Sequence, residues 1–160
     1  MSCLPDNQAA MAQDYVLQGA KSDTLIIFAH GAGANMHHEF MVNMSELLVS
    51  AGFQVYRFNF LYMKANMQDG KRRPPDRAPK LLNHFEQVLI DVGHKIEQGL
   101  IAPKRIVLMG KSMGGRMSAI LTSAEHVFLS AQAKEVAANI CAVVCLGYPF
   151  IPLKGGEPRL

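Results

Sequence analysis

The chain has 160 residues, of which 49% are hydrophobic and 18% charged, and its net charge is +3. That length fits one domain of ordinary size with a real core, and the composition excludes disordered and fibrous classes. The charge is too small for a typical nucleic-acid-binding domain. No stretch approaches the roughly 18 apolar residues of a membrane span.

Six of the sixteen basic residues crowd between Lys64 and Lys80, and a short run of this kind reads as a solvated loop. Cys141 and Cys145 lie in one apolar run, where strand geometry separates their Cα atoms by about 13 Å. A disulfide needs less than about 7 Å. With Cys3 left over there is no disulfide framework, and Met1 to Gln13 lacks the basic start and apolar block of a signal peptide. A reducing, cytoplasmic setting is the expectation.

In chain order, Thr24–His30 (TLIIFAH) reads as a first strand, apolar nearly throughout. Phe40, Met41, Met44, Leu47 and Leu48 then recur at helical spacing, with Gly52 as a stop. Phe53–Phe60 (FQVYRFNF) is a second strand. Lys64–Pro79 carries prolines and charges that forbid a strand, and it is expected to be a long irregular loop bordering a substrate entrance or lying free on the surface. Leu81, Leu82, Phe85, Val88, Leu89, Val92 and Ile96 form a long amphipathic helix that Gly99 and Pro103 end. Arg105–Gly110 is a third strand, Met113 to Val127 a helix, Ala131 to Asn139 a shorter one, and Cys141–Gly147 a fourth strand.

Strands alternating with helices predict a single α/β domain over residues 1–160, its parallel sheet covered by helices on both faces. No internal repeat or domain boundary interrupts it.

Gly110-Lys111-Ser112-Met113-Gly114 matches G-x-S-x-G, and it sits between a buried strand and a helix, the context that pattern requires. The serine of such an elbow occupies a strained turn that projects its hydroxyl above the sheet. Gly110 and Gly114 avoid clashes where strand and helix meet. The free amides at the helix start favour a developing negative charge. The same residues resemble the end of a phosphate-binding loop, but that motif needs glycine five residues before Gly110, where Arg105 stands.

The first strand ends in His30-Gly31-Ala32-Gly33-Ala34-Asn35. With this stretch beside the serine motif, the chain resembles the α/β-hydrolase superfamily. More narrowly it is similar to small predicted hydrolases related to dienelactone hydrolase and to testis-expressed protein 30. The matching stretches are HGAGANMHHEF, RFNF, GKSMGGRMSA and GYPF, spread from Thr24 to Phe150. The resemblance implies the strand order Phe53–Phe60, Thr24–His30, Arg105–Gly110, Cys141–Gly147. It also implies Ser112 as nucleophile, with the amides of Ala32 and Met113 forming an oxyanion hole. Gly31 and Gly33 would let the loop turn close to substrate, and His30, Asn59 and Tyr148 are candidate pocket residues. His30 is also expected to bond to backbone and shape the loop. No metal or cofactor is implied.

A serine hydroxyl needs an adjacent base, itself oriented by an acid, and the superfamily supplies these in the order Ser, Asp/Glu, His. After Ser112 the only histidine is His126. It lies fourteen residues on, roughly 20 Å away along a helix. Glu157 is the sole acid after the fourth strand. His37 or His38 would be an unusual substitute base, while His84 and His94 read as surface or boundary residues.

The expectation is the front part of a longer hydrolase, truncated after the strand at 141–147, with little activity by itself. The leading reading is a serine hydrolase acting on an ester or related acyl bond of a small molecule. The alternative is an inactive interaction module. Neither nucleic acid nor membrane is an expected partner, and an open sheet edge at Cys141–Gly147 invites self-association.

Overall fold

The computed structural model describes residues 14–152 and 154–158. Cys3, one of the three cysteines considered above, lies outside them. The elements are β1 Tyr15–Gln18, β2 Thr24–Ala29, α1 Glu39–Ser50, β3 Gln54–Phe58 and α2 Leu61–Asp69. They continue with α3 Ala78–Glu97, β4 Arg105–Lys111, α4 Met113–Leu121, α5 Ala131–Ala137 and β5 Ile140–Leu146.

Five strands form one sheet in the order β1-β3-β2-β4-β5, parallel except for β1, which runs antiparallel to β3. The four parallel strands stand in the expected order. β1 is an addition: its four residues are all half-buried, too short a run for alternation to identify.

Alternation along β2 explains the layers. Leu25, Ile27 and Ala29 point to one face, where Phe85, Leu89 and Val92 of α3, Met117 and Leu121 of α4 and Val136 of α5 meet them. Ile26 and Phe28 point to the other face, against Met41 and its neighbours on α1. Every residue of β2 and of β3 is buried, as a strand covered on both faces must be.

The long segment after β3 differs from expectation. Its first part, Lys64 to Asp69, is helical and belongs to α2. Tyr62 and Met63 anchor that helix in the core while Leu61 and the polar residues face out, so no apolar stripe marks it. Gly70 ends α2 in the left-handed conformation, φ 71°. The chain then returns under restraint: Asn66 bonds to the Arg73 backbone, and Asp69 pairs with Arg73. Only residues 70–77 are irregular, and Pro79 stands in the first turn of α3, where its missing N–H costs nothing.

A buried acid organises the opposite end of the helical layer. Glu86 on α3 accepts hydrogen bonds from the backbone of Leu129 and Ser130, and its carboxylate lies 3.0 Å from His126 Nε2. The connection from α4 to α5 is thereby tied to α3. Cys141 and Cys145 are free thiols on β5, and Cys145 Sγ lies 3.4 Å from the Gly115 carbonyl. Among the described residues β5 pairs only with β4, so its outer edge is open. No helix among them is long and apolar enough to cross a membrane.

Candidate active site

Strand β4 delivers the chain to Ser112, where it reverses into α4. Ser112 has φ 49° and ψ −113°, and among the described residues it is the one non-glycine residue with positive φ. Such a backbone costs roughly 1–3 kcal/mol and persists only where the surroundings enforce it. Two backbone bonds help: the Ser112 amide donates to Leu146 O at 2.8 Å, and its carbonyl accepts from the Arg116 amide at 3.0 Å.

Close packing supplies the rest. A Cβ on Gly110 would fall 2.1 Å from the carbonyl carbon of Gly114, and one on Gly114 would fall 2.5 Å from the carbonyl oxygens of Ala29 and His30. The start of α4 thus presses on the carboxyl ends of β2 and β4, where only glycine fits. The Ser112 side chain makes no capping bond to α4. It lines a cavity of about 650 Å³ together with Ala32, Met113, Arg116 and Met117. Pro75, Asp76 and Ala78 form another wall, so the irregular segment before α3 does border this cavity. Lys111, the residue that suggested a phosphate loop, instead lies over the Phe40 ring at 4.6 Å.

The loop after β2 meets the serine turn from the side. A Cβ on Gly31 would lie 3.3 Å from Lys111 O and 3.7 Å from the Ser112 Cβ, so the two turns are in near contact. At Gly33 a Cβ would meet no protein atom within 4 Å, and its φ is not positive. Packing within the protein therefore makes no steric demand for glycine at Gly33.

The candidate pocket residues are placed elsewhere. His30 is fully buried behind the loop rather than lining the cavity. Its Nε2 accepts from the Phe60 amide at 3.0 Å, which leaves Nδ1 as the protonated nitrogen, donating to Gly31 O at 2.6 Å. That bond sets a peptide plane. In a trans peptide the N–H opposes the carbonyl, so the Ala32 N–H points away from the His30 ring. Burial lowers the His30 pKa to about 4, with the Gly31 bond opposing and the charge of His84 assisting, so the ring is neutral near pH 7.

Asn59 also serves the loop instead of the cavity. Its Oδ1 accepts from the Met36 amide at 2.8 Å, and its Nδ2 lies 3.1 Å from Met67 Sδ. Tyr148 follows β5 and packs on Phe150, 4.6 Å between ring centres, although its neighbours Gly147 and Pro149 do line the cavity.

Two further supports were not legible in the sequence. Tyr62 on α2 donates its hydroxyl to Ala32 O at 2.9 Å, and burial, seconded by Asp76, pushes its pKa well up, so the donor proton stays. Arg57, buried on β3, donates to Met36 O and to Gln18 Oε1. The RFNF stretch carried a family resemblance, but its role in bracing residues 31–36 depends on β2 and β3 being neighbours. A buried arginine in a strand was the one available signal.

The remaining histidines have other partners or positions. His38 caps α1 by accepting from the Phe40 amide, His126 pairs with Glu86, and His84 packs its ring on Phe58 and Phe60. His37 is exposed. None of them lines the cavity that holds Ser112.

A central parallel sheet with helices on both faces, and a glycine-walled serine turn at its carboxyl end, define the α/β-hydrolase class of fold. The chain belongs to the α/β hydrolase domain family, whose model matches residues 22–159. Comparison with curated proteins gives no match. Among solved structures the chain is similar to dienelactone hydrolase from Anabaena variabilis, with TM-score 0.62 and 18% identity over 82% of this chain and 55% of that one. It is likewise similar to a thermophilic esterase from Thermogutta terrifontis, solved with butyrate bound, with TM-score 0.62 and 14% identity over 89% of this chain and 51% of that one. The same esterase phosphonylated by sarin gives TM-score 0.58 and 13% identity over 91% and 52%. At these identities the likeness is one of fold. The chain spans about half the length of those structures.

Proposed function

We propose that Ser112 is the nucleophile of a serine hydrolase that cleaves a carboxylic ester or related acyl bond. The observation carrying this reading is the positive φ of Ser112 inside its glycine-walled turn, open to a cavity that Ala32 and Met113 also line. In this reading the amides of Ala32 and Met113 receive the negative charge of the tetrahedral intermediate. One such donor is typically worth about 3 kcal/mol of transition-state stabilisation. Ser112 Oγ bonds to the acyl carbon, the alcohol oxygen leaves with a proton, and water then cleaves the acyl-enzyme to acid and free serine. His30 and Tyr62 act as positioning residues for the loop that bears Ala32.

The acid and the histidine of the triad are proposed to lie outside these 160 residues. A cavity without a lining histidine favours that, because His126 is held by Glu86. It equally favours the second reading, an inactive interaction module. The experiment is labelling by a fluorophosphonate, motivated by the phosphonylated esterase of the same fold, together with hydrolysis of a short activated ester. Both are run on the 160-residue chain and on a form extended past Leu160, each beside its Ser112→Ala variant. The extended form should label and turn over through Ser112. The short chain should retain only about 10³–10⁴-fold over water, the residue left when a triad is incomplete. Absence of Ser112-dependent reaction in the extended form would establish the interaction module instead.

The open edge of β5 is proposed to be the self-association surface of this chain. Its residues carry no charge and no proline, so nothing on the strand blocks pairing. Sedimentation should show concentration-dependent association, weakened by Val144→Lys. A monomer at every concentration would remove the proposal.

A further inference from the structure

We propose that a second cavity, between β3, α2 and α3, is a binding site for a neutral sugar. It stands apart from Ser112 and does not depend on the nucleophile reading.

The cavity measures about 450 Å³, a size common among small-molecule sites. None of its lining residues lines the Ser112 cavity. It lies at the β1 edge of the sheet, opposite the β5 edge. Tyr56 and Phe58 project from β3 toward α3 and, with Val88, form a buried apolar floor.

The charges around this floor balance and are already engaged. Lys64 pairs with Asp14, and Lys80 pairs with Asp76 at 3.3 Å. Asp91 lies 3.4 Å from Gln87 Nε2. Two lysines and two aspartates line the cavity, so their net charge is zero. An anion would have to displace an aspartate from its lysine, and a cation would be repelled by both lysines, so neither gains an ion pair.

What the cavity offers is neutral hydrogen-bonding capacity above an apolar surface. His84 lines it, and the His84 Nδ1 is buried without a partner among the described residues. Burial, opposed by Asp91, lowers its pKa, so near pH 7 the ring is neutral, with one nitrogen a donor and the other an acceptor. Asn83 and Gln87 stand four residues apart on α3 at the exposed rim, and their amides also both donate and accept. A hydroxyl answers either role. A pyranose carries hydroxyls around its edge and presents an apolar C–H face to an aromatic floor. An apolar ligand would leave the His84 nitrogen unpaired, which is costly for a buried group. A nucleotide would bring a phosphate to lysines that already have partners.

The test is an NMR titration of the 160-residue chain with glucose, galactose, mannose, N-acetylglucosamine, maltose and cellobiose. Gluconate, glucosamine and adenosine monophosphate are the charged probes. At least one neutral sugar should bind with a Kd of about 1 mM or below, and the charged probes about tenfold more weakly. Asn83→Ala and Gln87→Ala, both at exposed helix positions, should each weaken that sugar about twofold to tenfold, the worth of one hydrogen bond. Ser112→Ala should leave its Kd unchanged. Failure of all six sugars to bind would overturn the proposal. Tighter binding of any charged probe than of every neutral sugar would overturn it too. Sugar binding that ignores both alanine variants, or that is lost in Ser112→Ala, would place the ligand elsewhere and overturn this site.

Discussion

Replacing Gly110 by alanine is expected to leave little folded protein. The new methyl would have to occupy space 2.1 Å from the Gly114 carbonyl carbon and 2.2 Å from the Gly115 nitrogen. Both are backbone atoms at the start of α4, so no side chain can rotate away to relieve the overlap. Relief requires α4 to move off β4, which would lift Met117 and Leu121 out of the core they share with β2 and α3. The cost is expected to reach about 4 kcal/mol or more, the range of severe packing defects, against the 5–15 kcal/mol that hold a typical domain. Gly33→Ala is the matched control. Its methyl meets open space at ordinary φ, so the change should be neutral to within about 0.5 kcal/mol. Thermal melting of the two variants beside wild type checks this. A Gly110→Ala protein that melts with wild type would contradict the packing described at the serine turn.

His30→Ala is expected to destabilise by about 2–4 kcal/mol. It strips the Phe60 amide of its acceptor and Gly31 O of its donor, both buried. It also empties the space beside the Phe60 and Tyr62 rings. His38→Ala, which removes only an exposed helix cap, should cost about 1 kcal/mol or less. Acid sensitivity separates the two further. The folded chain takes up the His30 proton only near pH 4, while the unfolded chain takes it up near 6.5. The lowered value means that the stability held by neutral His30 is complete above pH 6.5, falls between 6.5 and 4, and changes no further below 4. A gap from 6.5 to about 4 corresponds to about 3 kcal/mol. His84 is also lowered, chiefly by burial, and adds to the same trend. Denaturant titrations at pH 5 and pH 7 should therefore show a wild-type loss that shrinks in His30→Ala by up to one proton per molecule. An unchanged pH slope would mean that His30 already protonates freely in the folded state.

Much of this protein was readable from the order of its residues. Parallel strands covered on both faces are apolar throughout, and β2 and β4 show it without reference to anything distant. The α3 stripe and its glycine stop are equally local, as is the G-x-S-x-G turn, whose φ of 49° follows from a strand running straight into a helix. Four-strand order came from the family resemblance, since nothing local says which strands become neighbours. What stayed hidden was everything that depends on such neighbours. β1 has four half-buried residues, and only the edge of β3 makes it a strand. α2 lacks an apolar stripe because just Tyr62 and Met63 reach the core, while capping and the Asn66–Arg73 bonds hold the rest. Gly31 and Gly33 look alike in sequence, yet only Gly31 lies against Ser112. His30 and Asn59 end their strands at the proper place for a pocket, but their side chains turn to the loop backbone, because buried amides and carbonyls there need partners. Sequence by itself determined the elements and the serine turn, since both follow from local periodicity and local sterics. Tertiary structure decided which polar groups brace the loop at Ala32, because a hydrogen-bond partner thirty residues away is chosen by the packing of the sheet.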